Sequence, residues 1–323
     1  MRVRTVLAGI GAYLPARVVT NEELAQRVDT TDSWIRERTG ILQRHLAAPH
    51  ETCAFMATEA ARGALADAGV DAASVDGIIV ATATPDQAFP AAAVRVQAAL
   101  GAGGFGFDLS AACSGFIYGL SVADGMIRAG QARTMLVIGS EVYSRIMNWQ
   151  DRGTCVLFGD GAGAVLLQAT QGQGLASERG ILSTHLHAQG DLGDILYVDG
   201  AVGQPDKPGH LVMKGHEVFR HAVNKLSATV TEALEANGLG HGDVDWLVPH
   251  QANQRIIEAI GRRLGLSADR VVVTVDRHAN TSAASIPLAL AHAYGDGRIK
   301  RGDLVLMEAL GGGLTWGSAL VRL

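Results

Sequence analysis

The sequence predicts an α/β protein whose β-sheets are covered by helices and whose chain consists of two duplicated halves. Two observations predict this fold class: short apolar runs alternate with helical patterns, and several elements recur in the same order. Apolar residues make up 48% of the 323 residues, which excludes a disordered chain. Short apolar runs bounded by turns are typical of strands buried on both faces. The length also exceeds the usual single-core size of about 100 to 200 residues, which favours two units.

The apolar runs predict the strands in chain order. They cover residues 3–10, 77–81, 134–139, 162–167, 246–248, 271–275, 304–309 and 318–321. Helical patterns separate several of these runs, for example at residues 52–68 and 217–236. Because strands alternate with helices along the chain, we expect sheets with helices packed on their faces.

Short motifs of the first half recur in the second. Residues 110–130, SAACSGFIYGLSVADGMIRAG, align without a gap on residues 282–302, SAASIPLALAHAYGDGRIKRG, which sets Cys113 against Ser285. FGDGAGAVLL has a counterpart in WGSALVRL. The repetition predicts two halves, residues 1–170 and 171–323, and ligand sites favour the interface between such units.

Charge and cysteine content exclude several classes of partner. A net charge of −5 offers no basic field that would attract nucleic acid, and no apolar run approaches the roughly eighteen residues of a membrane span. Cys53, Cys113 and Cys155 lack disulfide or zinc-site spacing, which indicates a reducing compartment. The first apolar run is too short for a signal peptide. The sequence therefore predicts a cytoplasmic protein without a nucleic-acid, membrane or metal partner.

Polar residues stand next to apolar strand patterns at three places. The segments are SAACSG (110–115), VPHQANQRII (248–257) and RHANTSAAS (277–285), and each opens into a helical pattern. Catalytic groups of α/β proteins gather at such strand-to-helix junctions. The small neighbours of Cys113 permit a tight turn, and the following helix start would favour its thiolate.

Each of these residues also has a simpler interpretation. A lone cysteine is usually buried and inert, a lone histidine is more often structural, and Asn280 alone is typical of a helix cap. Three such segments in one chain indicate a constellation of a thiol nucleophile, Cys113, with His250 and Asn280.

Five segments resemble the signature segments of the β-ketoacyl-acyl carrier protein synthase III family. They are SAACSGF, FGDGAGA, WLVPHQAN, RHANTSAAS and EALGGGLTWGSALVR, in the family's order over nearly the whole chain. The resemblance implies a thiolase-like five-layered αβαβα fold and a homodimer. It also implies a decarboxylative condensation of an acyl-CoA starter with malonyl-acyl carrier protein, which initiates fatty acid synthesis, with acyl-CoA as a substrate and no cofactor.

The resemblance implies that Cys113, His250 and Asn280 form the catalytic triad. The starter first acylates Cys113, malonyl then loses carbon dioxide, and the resulting carbanion attacks the thioester. Neutral His250 and Asn280 would donate hydrogen bonds to the enolate oxyanion, which an aspartate at position 280 would repel. The backbone amides of Cys113 and Gly312 are implied as the oxyanion hole for acylation, although a run of three glycines also fits a simple turn.

Three binding surfaces follow from the same resemblance. The implied CoA contacts, which include the segment TDSWIRERTG, are Thr30, Trp34, Arg38, Arg152, Gly215 and Asn253. The implied acyl pocket consists of Tyr143, Phe158, Leu211, Leu310 and, from the neighbouring subunit, Phe89. The implied docking face for the carrier protein is the arginine cluster Arg220, Arg255, Arg262 and Arg263. By composition alone, both the WIRER segment and the arginine cluster fit ordinary solvated helix faces.

Departures from the family pattern leave the starter open. Leu310 and Leu314 flank the glycines where some relatives have phenylalanine, Tyr143 stands where aliphatic residues are common, and His216 replaces an amide. Alternatives of the same fold are a polyketide priming synthase, an acyltransferase that does not condense, and a non-catalytic partner subunit. The intact His/Asn pair disfavours the acyltransferase, and the presence of Cys113 disfavours the partner subunit.

Overall fold

The computed structural model describes residues 2–200, 204 and 206–323. The strands of these residues are β1 (Arg2–Tyr13), β2 (Val18–Thr20), β3 (Gln43–His45), β4 (Gly77–Ala81), β5 (Phe105–Leu109), β6 (Thr134–Val142), β7 (Asp160–Gly172), β8 (Gly180–Ala188), β9 (Leu196–Val198), β10 (Leu211–Met213), β11 (Trp246–Pro249), β12 (Leu304–Gly311) and β13 (Thr315–Arg322). The α-helices are α1 (Asn21–Ala25), α2 (Asp32–Thr39), α3 (Cys53–Ala68), α4 (Ala92–Leu100), α5 (Gly115–Arg128), α6 (Gly215–Glu235), α7 (Gln254–Arg263), α8 (Val275–His278) and α9 (Ser285–Gly295).

The first large sheet has the strand order β1-β7-β6-β4-β5. β4 runs parallel to β5 and β6, whereas β7 is antiparallel to β6 and β1. Its central strands bury both faces: Met135 and Val137 of β6 belong to one hydrophobic core, and Leu136 and Ile138 to another. A strand buried on both faces needs apolar residues at successive positions, which is why it reads as an unbroken apolar run.

The second large sheet has the order β11-β12-β13-β8. β11 is parallel to β12, and the remaining neighbours are antiparallel. The same alternation recurs here, because Val305 and Met307 of β12 face one core while Leu304 and Leu306 face another. Two short pairs, β2 with β3 and β9 with β10, lie outside both large sheets.

Five layers result from the packing of helices against these sheets. α5 and α9 lie between the sheets, where Phe116, Leu120, Ile286 and Leu290 share a core with residues of both. α3 and α4 cover the outer face of the first sheet, and α6 and α7 cover the outer face of the second. The predicted five-layered αβαβα fold is confirmed. No helix of the described ranges is long and apolar enough to cross a membrane.

One predicted strand is wrong. Residues 271–275 form no strand: Val271 makes only an isolated bridge with Leu247, and α8 begins at Val275. The side chain of Gln251 explains the difference, because its Oε1 accepts hydrogen bonds from the backbone N–H groups of Thr274 (2.8 Å) and Val275 (3.1 Å). Amides that are bonded to a side chain are not available to a strand ladder.

The structure also shifts the internal repeat by two residues. α5 and α9 begin at Gly115 and Ser285, and each follows a 3-10 turn whose first residue has a left-handed φ, 45° at Ala112 and 50° at Ser282. Ser285 therefore corresponds to Gly115, and Cys113 corresponds to Ala283. The ungapped match of Cys113 with Ser285 is wrong by this geometry, because the two SAA triplets do not occupy the same place in the turn.

Candidate active site

Cys113 lies immediately before the buried helix α5. The chain leaves β5, passes through a 3-10 turn at Ala112–Ser114 and enters the helix at Gly115. The first residue of the helix, Gly115, packs closely on β4, since a Cβ atom added to it would lie 3.1 Å from the Cβ atom of Ala81. The turn thus places the thiol at the positive end of a helix dipole.

Burial dominates the acidity of this thiol. Cys113 is 5% exposed, and burial raises its pKa to about 12, while the hydroxyl of Ser282 lowers the pKa and Glu141 raises it. Burial disfavours the charged form because it removes the thiolate from water. In the free protein the thiol is therefore protonated near neutral pH.

His250 follows β11 and is held at both ends. Its backbone N–H donates to the carbonyl of Glu308 on β12 (2.8 Å), and its Nδ1 lies 2.6 Å from the Oγ of Ser285. The ring is 5% exposed, and burial lowers its pKa to about 3. The imidazole is consequently neutral at physiological pH, and Nε2 is the ring nitrogen left for a ligand.

Asn280 is oriented by its own turn. Its Oδ1 accepts a hydrogen bond from the backbone N–H of Ser282 (2.8 Å), and its backbone is held by Leu157 (2.9 Å) and Gly159 (3.0 Å). Because the oxygen is occupied, the Nδ2 amino group is the end that remains free to donate. The helix-cap interpretation is wrong, since the N-cap residues of the 3-10 turn and of α9 are Thr281 and Ala284. The contact with the Ser282 N–H closes a local turn over residues 280–282, and this turn fixes the direction of the amide.

The three predicted residues lie in one cavity of about 1020 Å³. Cys113 comes from the first half of the chain, and His250 and Asn280 come from the second. Gly312 and Leu310 line the same cavity. The structure therefore brings together the predicted triad and the glycine loop.

The glycine run between β12 and β13 packs on the turn that bears the nucleophile. A Cβ atom on Gly311 would lie 2.6 Å from the backbone nitrogen of Cys113. Thr315 secures this contact, since its Oγ1 lies 2.8 Å from the Oγ of Ser114 and donates to the carbonyl of Ala111 (3.1 Å). Ser114 and Thr315 were not expected from the sequence as members of the site.

Two arginines lie over the ring of Trp34 on α2. The guanidinium carbons of Arg38 and Arg152 are 4.8 Å and 5.2 Å from the centroid of the indole ring. Trp34 and Arg38 line the cavity, whereas Thr30 and Arg152 are outside the lining formed by the described residues. Arg152 is held near the tryptophan by its hydrogen bond to the carbonyl of Asp29 (3.0 Å).

Asn253 and Gly215 line the cavity from the second half of the chain. Asn253 is the N-cap of α7, because its Oδ1 accepts from the backbone N–H of Arg255 (2.8 Å), and its Nδ2 donates to the carbonyl of Arg38 (3.1 Å). Gly215 begins α6. Asn253 thus joins α7 to the segment that contains Trp34.

Three of the predicted acyl-pocket residues form a buried apolar cluster, while Leu310, which is 5% exposed, belongs to another core cluster. Tyr143, Phe158 and Leu211 are each at most 5% exposed and pack with Met147. The rings of Tyr143 and Phe158 are stacked at 4.9 Å, and the Tyr143 hydroxyl accepts a hydrogen bond from the Ser282 hydroxyl (2.9 Å). Phe89 is the exception, since it is 84% exposed and lies outside the cavity of its own chain.

The four predicted docking arginines are exposed on α6 and α7, two helices that pack on each other. Arg255 also lines the cavity. Arg262 lies 3.6 Å from Glu258, and Arg263 donates to the side chain of Asn224 (3.1 Å). The cluster therefore lies on the helical surface next to the cavity.

The comparisons with known proteins agree with this geometry. A family model described as 3-oxoacyl-[acyl-carrier-protein (ACP)] synthase III matches residues 107–190, and the model of its C-terminal part matches residues 234–323. The β-ketoacyl-[acyl-carrier-protein] synthase III of Acidiphilium cryptum is 71% identical over 320 residues, which are 99% of each chain. The chain belongs to this family.

Solved structures of 3-oxoacyl-[acyl-carrier-protein] synthase III extend the likeness to the whole fold. That of Aquifex aeolicus VF5 has a TM-score of 0.93 and 46% identity, and it covers 99% of this chain and 100% of its own. As a synthase III, the protein is a condensing acyltransferase that acts in the initiation of fatty acid synthesis. The predictions of family, fold and enzyme class are confirmed.

A priming β-ketosynthase from the R1128 polyketide biosynthetic pathway has the same fold. Its TM-score is 0.91 at 37% identity, with coverage of 99% of this chain and 97% of its own.

In the ranges that the structure describes, no group of three or more His, Cys, Asp or Glu side chains has a metal-binding arrangement.

Gln251 is a structural member of the synthase site that sequence reasoning missed. It is fully buried, and its Nε2 donates to the carbonyls of Pro249 (2.8 Å) and Val272 (3.1 Å), while its Oε1 accepts from the 274–275 backbone. All four hydrogen bonds of the amide are thus formed within the protein. The position of this glutamine directly after His250 could have indicated a structural role. A buried amide needs a hydrogen-bond partner for each of its polar groups, and it therefore holds the segments around it in place.

Proposed function

We propose that the chain condenses an acyl-CoA starter with malonyl-acyl carrier protein to give 3-oxoacyl-acyl carrier protein, CoA and CO2. Cys113 is the nucleophile in this proposal, and His250 and Asn280 are the hydrogen-bond donors. The observation that supports it is the meeting of a thiol, a neutral imidazole and an outward amide N–H in one cavity.

Acylation is the first step. The Cys113 sulfur attacks the thioester carbonyl of acyl-CoA as its proton leaves, and CoA departs as a thiol that takes up a proton. The tetrahedral oxyanion needs two donors, for which the backbone amides of Cys113 and Gly312 are our candidates. Contact between the glycine run and the nucleophile turn supports this assignment.

Condensation is the second step. The bond between the malonyl carboxylate and its methylene carbon breaks, CO2 leaves, and the electron pair forms an enolate. His250 Nε2–H and Asn280 Nδ2–H donate to the enolate oxygen. Its carbon then bonds to the acyl carbon, and the Cys113 thiolate leaves and takes up a proton. Neutral donors suit this step because a buried cation or anion would be costly to desolvate.

The CoA site is proposed at the mouth of the cavity. Trp34 and Arg152 would hold the two faces of the adenine, and Arg38 would meet phosphate, since guanidinium groups both stack on rings and bind phosphate oxygens. In this proposal Thr30 lies near the nucleotide, and Gly215 and Asn253 line the pantetheine arm. The Arg152 guanidinium carbon lies 5.2 Å from the centroid of the indole ring, so Arg152 has to move away from Trp34 to admit the adenine, and its position over the ring supports its assignment to the opposite face.

The carrier protein is proposed to dock on the arginine cluster of α6 and α7. Its phosphopantetheine arm would enter the cavity beside Arg255. A local basic patch steers an acidic partner even when the net charge of the whole chain is −5. Three exposed apolar side chains that line the same cavity provide a rim for the contact: Tyr197, Val198 and Phe219.

A homodimer is proposed on the free edge of the first sheet. The proposed edge is β5, one of the two edge strands of this sheet, whose Phe105 and Phe107 rings are stacked and not fully buried. Exposed apolar edges of this kind are usually covered by a partner. The 84% exposed Phe89 would then complete the acyl pocket of the partner subunit.

We also retain the division into two halves, residues 1–170 and 171–323, and the cytoplasmic location as proposals. The first large sheet ends with β7 at Gly172 and the second begins with β8 at Gly180, so the sheets change over at residues 173–179, a few residues after the proposed position 170. Acyl-CoA enters the proposal as a substrate, and no further cofactor is required by the two steps.

Intact-mass spectrometry after exposure to acetyl-, propionyl-, butyryl- and branched acyl-CoAs tests the proposal. We expect one acyl group on the wild type and on the control Cys53→Ala, and none on Cys113→Ser. Addition of malonyl-acyl carrier protein should return the mass to that of the free protein and release CO2. An acyl group on Cys113→Ser would contradict the assignment of the nucleophile.

A further inference from the structure

We propose that Ser285 is a positioning residue that holds His250 in the tautomer protonated at Nε2. This inference rests on the proposed function, in which His250 donates a hydrogen bond to the enolate. Ser285 is the first residue of α9, is 2% exposed and lies outside the lining of the cavity among the described residues. It therefore acts on the reaction through the His250 segment and not by touching the substrate.

The hydroxyl of Ser285 lies between two groups of the His250 segment. Its Oγ is 2.6 Å from His250 Nδ1 and accepts a hydrogen bond from the backbone N–H of Gln251 at 3.3 Å. A backbone N–H is always a donor, so the direction of this second bond is known. Within residues 2–200, 204 and 206–323, the Oγ contacts no other hydrogen-bonding group.

The direction of the Ser285–His250 bond follows from the number of protons. If Nδ1 carried the proton, Oγ would accept twice, and the hydroxyl proton would be buried without an acceptor. An unsatisfied buried donor costs about 1–3 kcal/mol. If Nδ1 is unprotonated, the Ser285 hydroxyl donates to it, and both groups are satisfied. The second arrangement leaves the imidazole proton on Nε2, the nitrogen available to the enolate.

The opposite tautomer would be unproductive. In that tautomer the Nε2 lone pair would face the negatively charged enolate oxygen. The two would repel each other, whereas an Nε2–H group attracts the oxygen by a hydrogen bond. Both partners of the bond are rigidly placed. Ser285 belongs to a helix between the two sheets, and the side chain of Gln251 binds the His250 segment to residues 272–275.

Two variants of Ser285 test the inference in enzyme that has already been acylated. Ser285→Ala removes the hydroxyl, and we expect CO2 release from malonyl-acyl carrier protein to fall roughly tenfold, as for the loss of one buried hydrogen bond. Acylation by acyl-CoA should be unchanged. Ser285→Thr keeps a hydroxyl and should restore most of the rate. Ser227→Ala is the matched control, because it removes another buried serine hydroxyl, which donates to the carbonyl of Val223.

The tautomer itself is observable by 15N NMR of the imidazole nitrogens in full-length protein, with His250→Ala used to assign the signals. We expect a protonated Nε2 and an unprotonated Nδ1 in the wild type, and a mixture of both tautomers in Ser285→Ala. A protonated Nδ1 in the wild type would overturn the inference. An unchanged rate together with an unchanged tautomer in Ser285→Ala would also overturn it.

The two measurements separate this inference from the proposed function. Wild-type protein that is acylated but releases no CO2 from malonyl-acyl carrier protein would contradict the proposed function. The NMR measurement needs no turnover, so it decides the role of Ser285 in either case. Thermal unfolding of each variant identifies any rate loss that comes from misfolding.

Discussion

His250 and Asn280 each have one polar atom bonded to the protein and one left for a ligand. Nδ1 of the histidine contacts Ser285, and Oδ1 of the asparagine accepts from Ser282, so Nε2 and Nδ2 remain. The sequence predicted both side chains as members of one site, and both line the same cavity. The sequence was insufficient to identify what orients them, because Ser282 and Ser285 lie in a motif whose serines are equally suited to capping a helix.

We expect the protonation state of His250 to determine how the condensation rate depends on pH. Burial lowers its pKa from 6.5 to about 3, so the neutral form dominates above that value. We expect CO2 release by acylated enzyme to stay level from about pH 8 to about pH 5, where an ordinary histidine would become charged. Single-turnover rates across this range are the measurement. A decline centred near the ordinary value of 6.5 would show that the imidazole is not held neutral.

We expect the size of the starter to depend on Tyr143. Its ring is buried against Phe158, and its hydroxyl is bonded to Ser282, so it occupies space beside Cys113. We expect Tyr143→Leu to favour longer starters, raising acylation by hexanoyl-CoA relative to acetyl-CoA about tenfold. Tyr143→Phe keeps the ring and serves as the control. Equal preferences in Tyr143→Leu and wild type would place the limit elsewhere in the pocket.

Elements were predictable where the hydrophobic pattern alone determined them. β4, β6 and β12 were predicted because strands buried on both faces read as apolar runs. β5 was missed because FGFDL lies at a sheet edge and contains Gly106 and Asp108. The false strand at residues 271–275 shows the opposite case, in which a distant glutamine side chain takes the amides that a ladder would need.

The contact between the glycine run and the nucleophile turn predicts a sensitive position. In Gly311→Ala the added Cβ atom would meet the Cys113 backbone nitrogen at 2.6 Å, and overpacking of this kind costs about 1–3 kcal/mol. We therefore expect a lower melting temperature and slower acylation. In Gly125→Ala, on the exposed side of α5, the Cβ atom meets nothing within 4 Å. This control should be neutral or stabilised by up to about 1 kcal/mol. Equal behaviour of the two variants would refute the contact.

At the scale of the whole molecule, the α/β body of two halves with a site between them could be inferred from alternating strand and helix patterns together with the repeated motifs. The exact alignment of the two repeats could not be inferred from the sequence. The structurally equivalent helix starts, Gly115 and Ser285, are set by the geometry of the preceding turns and not by the identical residues SAA. The surface that meets other molecules was the least predictable part. Arginines on a helix face have the same pattern whether they face solvent or a partner.

Charge reversal on α7 tests the proposed docking surface. Arg262→Glu combined with Arg263→Glu should raise the KM for malonyl-acyl carrier protein about tenfold at low salt while acylation by acyl-CoA is unchanged, because rim charges govern encounter. The difference should shrink at high salt, where exposed charges are screened. Arg133→Glu, an exposed arginine outside the cluster, is the control. A KM equal to that of wild type at low salt would exclude this face.

The central layer of two helices has a consequence for how activity arises during folding. α5 positions the nucleophile and α9 begins with the contact to His250, and both helices are buried between the sheets. A chain with native secondary structure but separated sheets would contain every catalytic side chain and no catalytic site. During refolding, the return of activity should therefore report when the two sheets pack together. We expect it to come later than the return of the helical circular dichroism signal.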